Sequence, residues 1–350
     1  MLTVVIPYYC TKEEFFKKCI NSLTSDTNTD AEILVIDDGS PKEFQKVLSA
    51  ICDDRVRIIH LPHGGVSKAR NAGIGEAQGE WLTFIDADDF VEPGFISTLQ
   101  KMTDLKADLI FYNGFAEKQG RTYKNNFILK EGLDYASKKQ LKLDVMESAL
   151  SLGRVPIPRK CMFSLGSPCC KLIKTKFLQK KNIKFDPSIR FAEDTLFSLN
   201  LIKEVDSIFY YDKYLYHYNI NEESATGKYR QNLSNDTDEF FKAVWNFIVD
   251  NGYEVELKEA YDIRAFLEVQ RSIRQEFYHK NNPDAVSVKF RKAMRFINTE
   301  PYKDALMSKY TYMRSLPCQV ASTLLRAGMF DLYMSMYSVL GDAKKLLHRM

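Results

Sequence analysis

Four short apolar runs, each stopped by proline or by acids and glycine, lie within the first ninety residues, separated by stretches of helical periodicity. They are Leu2–Pro7, Glu32–Ile36, Val56–Ile59 and Trp81–Ile85. Runs this short and this apolar suit strands buried on both faces, as in a parallel sheet covered by helices. Between them Phe15, Phe16, Cys19, Ile20 and Leu23 recur at helical spacing, as do Phe44, Val47, Leu48 and Ile51, and a third helix is expected over 66–77. Such alternation predicts a parallel sheet with right-handed crossovers, which binds ligands beyond the carboxyl ends of its strands.

The polar residues fall where that rule puts a ligand. Pro7-Tyr8-Tyr9, Asp37-Asp38-Gly39-Ser40 and Asp86-Ala87-Asp88 each follow a strand, so three loops are expected to face one crevice. An aromatic pair there can stack on a base, and an aspartate can accept hydrogen bonds from a base or a ribose. Two aspartates one residue apart can converge on one hard cation and the phosphates it carries. Each segment also has a plainer reading: packing for the tyrosines, a tight turn with a helix cap for Asp-Gly, and an acidic loop for Asp86–Asp89. Gly64 to Gly73 adds a glycine pair before a helix start, where free amides and close backbone approach suit a diphosphate. Lys68, Arg70 and Asn71 on that helix are within reach of it.

In this order the four motifs resemble the family 2 glycosyltransferases. Pro7-Tyr8-Tyr9 stands for the family's Pro-x-Tyr, Asp37–Ser40 for its Asp-Asp-Gly-Ser, Gly65–Gly73 for Gly-x-x-x-Ala-Arg-Asn-x-Gly, and Asp86–Asp88 for Asp-x-Asp. Cys10 departs from the Asn or Asp usual after Pro-x-Tyr. The resemblance implies a GT-A nucleotide-diphosphosugar fold, an α/β architecture with a mostly parallel, Rossmann-like sheet flanked by helices. It also implies a UDP-sugar donor and a divalent metal, Mn2+ or Mg2+. Pro7 and Tyr9 would line the base pocket, and Asp38 would meet uracil or ribose. Arg70 and Asn71 would lie by base and diphosphate. Asp86 and Ala87 would contact ribose or sugar, and Asp88 would hold the metal.

The second half of the family's pattern is matched by Lys171-Leu172-Ile173-Lys174, then Arg190, then Glu193-Asp194 at a helix start. An inverting transferase needs one carboxylate to take the acceptor hydroxyl's proton, and a neighbouring acid raises its proton affinity. By resemblance Asp194 is that base, with Glu193 supporting it or binding the sugar; the plainer reading is that both acids complement a helix N-terminus. Ile208–Tyr211 and Tyr214–Asn219 read as a strand pair around Asp212-Lys213. His217 is a candidate further metal ligand by resemblance, or an inward strand histidine with an ordinary hydrogen bond. Asn219 replaces the family's usual arginine, and Ser224 and Thr226 belong to a loop that could close over the diphosphate. The segments Gly114–Lys130 and Ser151–Phe163 read as polar and irregular, the latter bordering the acceptor cleft.

From Asp236 onward helical periodicity dominates. Phe240, Phe241, Val244, Phe247 and Ile248 form one stripe, and Ile263, Phe266, Leu267, Val269 and Ile273 contribute to another. The expected organisation is therefore a transferase domain over 1–230, with a nucleotide half to 113, followed by helices over 231–350. The charged, aromatic run Arg271–Lys280 reads as a solvated helix face, and a formal net charge of +3 gives no case for nucleic acid. That excess falls in Tyr312–Met350, interleaved with Leu316, Val320, Leu324, Met329, Phe330 and Leu332. Such a stretch suits either an anionic membrane surface or packing on a neighbour, including a second copy in a homodimer. Seven cysteines without CxxC spacing suit reduced thiols in the cytoplasm. The chain opens on a strand rather than a signal peptide, and no apolar run is long enough to span a membrane. The expected function is inverting transfer from a UDP-sugar to a glycan or lipid-linked acceptor in bacterial surface-polysaccharide assembly, at or near the inner membrane face. The alternative is a catalytically silent nucleotide-sugar-binding scaffold.

Overall fold

The computed structural model describes residues 1–27, 29–125, 139–154, 165–220, 228–312 and 315–347. The chain divides into two compact units, Met1–Asn221 and Glu222–Met350. The strands of the first unit are β1 (Leu2–Tyr8), β2 (Ala31–Asp37), β3 (Val56–His60), β4 (Trp81–Phe84), β5 (Phe90–Val91), β6 (Leu109–Lys118), β7 (Arg121–Asn125), β8 (Lys171–Lys174) and β9 (Ile208–Asn219). They form one sheet in the order β3-β2-β1-β4-β8-β6-β9-β5, with β7 paired to β6 outside that path. Its helices are α1 (Glu13–Thr24), α2 (Lys42–Ser49), α3 (Val66–Glu76), α4 (Phe95–Met102), α5 (Lys139–Leu150), α6 (Thr175–Lys180) and α7 (Glu193–Glu204).

The first four strands run parallel, as expected from their apolar runs. Val4, Val5, Ile6, Ile33, Leu34, Val35, Leu82 and Phe84 are fully buried, so both faces of this half-sheet are covered. Registers Tyr8↔Asp37 and Asp37↔His60 bring three carboxyl ends to one edge. Helix α3 lies close on β1 because Gly73 faces Val5: a Cβ there would sit 2.2 Å from Val5 Cγ1.

The sheet is mixed beyond β4. β8 runs antiparallel to both β4 and β6, and β6 runs parallel to β9. The expected strand pair around Asp212-Lys213 is instead one strand, β9, because β6 is long enough to pair with both of its halves. A register shift at Tyr112–Gly114 absorbs the polar pair, and the buried Asn113 amide donates to Tyr210 OH at 2.5 Å and to Asp212 Oδ1 at 2.6 Å. The stretch after Gly114 is likewise not irregular at its start. Gln119 and Gly120, both at positive φ, turn β6 into β7 as a hairpin. The rest of that stretch, residues 155–164 beside the expected acceptor cleft, and Ser224 and Thr226 lie outside the described residues.

The second unit contains α8 (Leu233–Asp250), α9 (Lys258–Ser272) continued by a π-helical turn at Ile273–Phe277, α10 (Val286–Ile297), α11 (Tyr302–Met307), α12 (Lys309–Tyr312), α13 (Leu316–Arg326) and α14 (Phe330–Leu347). The stripe on α8 is buried as expected. Helix α9 is covered nearly all round, so the Arg264–Glu268 ion pair, at 2.8 Å, lies inside. The run Arg271–Lys280 is not a solvated face. Gln275 and Phe277 are buried, Arg274 donates to Tyr333 OH at 2.8 Å, and Glu276 accepts from the Ser234 amide at the start of α8. In the tail Phe330 and Tyr333 pack inward, whereas Leu316, Leu332 and Val339 are exposed. No described helix is long and apolar enough to cross a membrane.

Candidate active site

The edge formed by β1, β2 and β4 carries the first three motifs. Beyond β1, Tyr8 turns inward and its hydroxyl donates to the Phe44 carbonyl at 2.7 Å; burial and Asp37 push its pKa up to about 12. Tyr9 is the exposed member of the pair, stacked on His63 at 4.4 Å between ring centroids. Pro7 is half-buried beside them.

Asp37 and Asp38 are both buried and both satisfied. Asp37 Oδ1 accepts from the Ser40 amide at 2.9 Å, and Oδ2 faces His60 Nδ1 at 2.7 Å and Gln45 Nε2 at 3.3 Å. Asp38 accepts from the Gly64 and Gly65 amides, each at 2.8 Å, which fixes the loop ahead of α3. Gly39 between doublet and turn sits at φ +72°, and a Cβ there would lie 2.5 Å from the His63 amide nitrogen. Only glycine fits that position without strain.

Arg70, on the buried face of α3, is the hub of the site. Its Nη2 donates to Asp86 Oδ1 at 3.1 Å and its Nη1 to Glu193 Oε1 at 3.0 Å, while the guanidinium covers the Phe185 ring at 5.2 Å. Burial alone would weaken its hold on its proton, but the charges of Asp86 and Glu193 outweigh that and raise its pKa. Two acids more than a hundred residues apart are thus bridged by one cation. The next residue, Asn71, faces elsewhere: its amide donates to the Phe185 carbonyl and accepts from the Phe185 amide, both at 2.8 Å. Expected beside the diphosphate, it instead clamps the segment leading to α7.

Past β4 the three aspartates differ. Asp86 pairs with Arg70. Ala87 is buried. Asp89 is fully buried, accepts from the Asn219 amide at 2.7 Å and from Tyr216 OH, and so ties the loop to β9. Among the described residues no cation lies within ion-pair distance of Asp88; burial first, then Asp86, raises its pKa to about 6. Among the described residues no three His, Cys, Asp or Glu side chains are grouped to hold a metal ion. A divalent cation held by one or two carboxylates needs its remaining ligands from substrate phosphates, and the uncompensated Asp88 with Asp86 beside it fits that arrangement.

His217 does not join them. Its Nδ1 faces Glu117 at 2.8 Å and its Nε2 faces Glu92 at 2.5 Å, and the ring is stacked between Phe90 and Phe115. With both nitrogens engaged, the strand-histidine alternative describes it and the metal-ligand role does not.

At the start of α7, Glu193 is held by Arg70, and burial first and Asp194 second raise its pKa against the pull of that guanidinium. Asp194, in the first turn of α7, accepts from the Thr195 amide at 2.7 Å. No described basic side chain lies within ion-pair distance of it.

Residues 3–152 match the family described as glycosyl transferase family 2. That match covers less than half of the chain. Among curated relatives, the uncharacterized glycosyltransferase EpsJ of Bacillus subtilis is 30% identical over 65% of this chain and 63% of its own length. Glycosyltransferase GlyA of Streptococcus pneumoniae is 28% identical over 64% of this chain and 31% of its own. The chain thus spans less than two thirds of the length of these relatives. A crystal structure of S. aureus TarS 1–349 in complex with UDP-GlcNAc matches 98% of this chain and 92% of its own with a TM-score of 0.59 at 16% identity, which identifies the fold as GT-A.

Sequence reasoning placed Arg70, Asp86 and Glu193 in one site but not in one ion-pair network, and it missed His63, Phe185 and Tyr216. His63 could have been found, since it precedes the glycine pair at the mouth of the same loop. Phe185 and Tyr216 lie in stretches whose approach to the site depends on the whole sheet.

Proposed function

We propose that the chain is a metal-dependent inverting glycosyltransferase that moves a sugar from a UDP-sugar to a hydroxyl of a glycan or lipid-linked acceptor. The observation that carries this reading is the Arg70 bridge, which fastens Asp86, two residues from the uncompensated Asp88, to Glu193, next to the unpaired Asp194. An anion-binding end and a proton-accepting end are thereby set at a fixed separation. The donor-bound TarS structure, alike in fold, supports a nucleotide sugar as donor.

Tyr9 and Pro7 bound the base pocket, with His63 extending the aromatic surface. Asp38 shapes its floor by holding Gly64 and Gly65, and a ribose contact would compete with those amides. Asp88, with Asp86 and Ala87 alongside, receives the diphosphate end. When bound there, a divalent cation supplies charge neutralisation for the leaving diphosphate. Asp194 takes the acceptor's proton as the hydroxyl oxygen bonds to the anomeric carbon and the bond from that carbon to the diphosphate oxygen breaks, releasing UDP with inversion. Glu193, fixed by Arg70, keeps α7 oriented. We place the transferase in residues 1–230, with 1–113 facing the nucleotide and 114–230 the acceptor. Surface-polysaccharide assembly at the cytoplasmic membrane face is the proposed setting; a relative 29% identical over 56% of this chain is succinoglycan biosynthesis protein ExoW of Rhizobium meliloti. The exposed apolar residues of α13 and α14 are the proposed membrane or self-association face.

The test is UDP release from a panel of UDP-sugars with Mn2+. Asp194→Asn is expected to lower it at least about a hundredfold. Equal release by wild type and variant would leave the scaffold alternative standing.

A further inference from the structure

The second unit contains a cavity of about 620 Å³ between α8, the start of α9 and the turn into α11. That size is ordinary for a small-molecule site. Its lining pairs one aromatic wall with a polar rim. Trp245 is 37% exposed, whereas the other tryptophan, Trp81, is 2% exposed. The indole is braced from behind by the buried Tyr261 at 5.2 Å, which meets Phe241 edge-on. A large ring held rigid by buried rings, yet open on its cavity side, loses little entropy when it binds a flat apolar surface.

Asp238, Glu300 and Asp304 stand on the rim with Lys242 and Lys258. Lys258 is already paired with Asp262. Asp238 Oδ1 accepts from Tyr302 OH at 2.6 Å, and its Oδ2 has no partner among the described residues. The rim thus carries more negative than available positive charge and is rich in acceptors. That balance opposes phosphates and other anions and suits an uncharged ligand that donates several hydrogen bonds around its edge. A ligand with a flat C–H face and a girdle of hydroxyls meets both demands.

We propose that this cavity is a second carbohydrate site, in which Trp245 stacks on the C–H face of a neutral pyranose while Asp238, Glu300 and Asp304 accept its hydroxyls. The choice of sugar over other uncharged polyols rests on the transferase reading above; the cavity itself is built from the second unit alone. The site would hold a segment of the acceptor glycan away from the reacting end.

The experiment uses the full chain without nucleotide. Neutral trisaccharides of glucose, galactose and N-acetylglucosamine are titrated, read by tryptophan emission and by saturation-transfer NMR of the sugar protons. At least one series is expected to perturb the Trp245 emission and to show saturation transfer. Trp245→Ala weakens binding by roughly tenfold, Trp245→Phe retains most of it, and Glu300→Gln weakens it measurably. Asp88→Asn leaves it unchanged. The proposal is overturned if no trisaccharide gives a signal, if binding survives Trp245→Ala, or if it disappears in Asp88→Asn. Should Trp245→Ala fail to fold, Glu300→Gln on the exposed rim decides, and undiminished binding there counts against the site. A chain that releases UDP but binds no trisaccharide sinks this inference alone; one that binds sugar without releasing UDP sinks only the transferase reading.

Discussion

Two Asp-Asp doublets, Asp37-Asp38 and Asp88-Asp89, lie at or just past the ends of parallel strands on either side of β1, and the fold treats them in opposite ways. All four oxygens of the first doublet are engaged by amides, Gln45 and histidines. In the second, Asp89 is satisfied by β9, but Asp88 is left with its charge raised against burial and against Asp86. The difference comes from what the following loop can donate. The last residue of β3 and the segment after it supply two histidines and two glycine amides to the first doublet; the segment after β4 runs straight into β5 and has only the distant β9 to offer. A carboxylate without internal donors is available to a ligand, and one with them is not.

The comparison breaks most severely through Arg70, the cation that pairs with Asp86 two residues before the second doublet. Arg70→Met would leave the half-buried Asp86 and Glu193 without their shared cation, and a loss of about 2–4 kcal/mol is expected in urea unfolding. Asp88→Asn separates function from stability. Metal-dependent UDP release should fall at least about a hundredfold, while the variant is more stable than wild type by about 1–2 kcal/mol at pH 7.5. The sign follows from the raised pKa. Between about pH 4 and 6 the folded chain keeps a proton that the unfolded chain has released, so wild-type stability falls as pH rises through that window, and the advantage of the variant vanishes below it. Thermal melts at pH 4.5 and 7.5 measure it. On the first doublet the expectation reverses, with stability lost. Gly39→Ala should cost about 1–3 kcal/mol through its positive φ and the His63 contact, read by thermal unfolding. Asp38→Asn should cost about 1 kcal/mol, since one glycine amide loses its acceptor, and should change donor affinity in calorimetry less than it changes the melting temperature. A large affinity loss with unchanged stability would make the two doublets functionally alike.

The four parallel strands and the stripe of α8 could be read from the sequence because burial on both faces, or on one helical face, leaves a local signature. The mixed half of the sheet could not. Asp212-Lys213 looks like a turn until Asn113 is known to lie opposite and to take up the register shift. Of the site, the residue types were legible but their division of labour was not. Arg70 and Asn71 are adjacent in every reading of the motif, yet one bridges acids and the other grips a backbone. His217 sits on β9 opposite Phe90 of β5, the strand that follows the acidic loop, and only the three-dimensional fold shows Glu92 and Glu117 taking both of its nitrogens.

That adjacency makes α3 intolerant of changes in length. Successive residues of a helix point about 100° apart, so a single residue inserted or deleted between Gly65 and Arg70 would swing the guanidinium off both acids and carry the Asn71 amide off Phe185 at once. Gly73, pressed on Val5, stops the helix from sliding or rolling to compensate. Over these few turns the protein can exchange side chains but cannot change its count, whereas the Gln119-Gly120 hairpin tip has no such fixed address and is where extra residues would be absorbed.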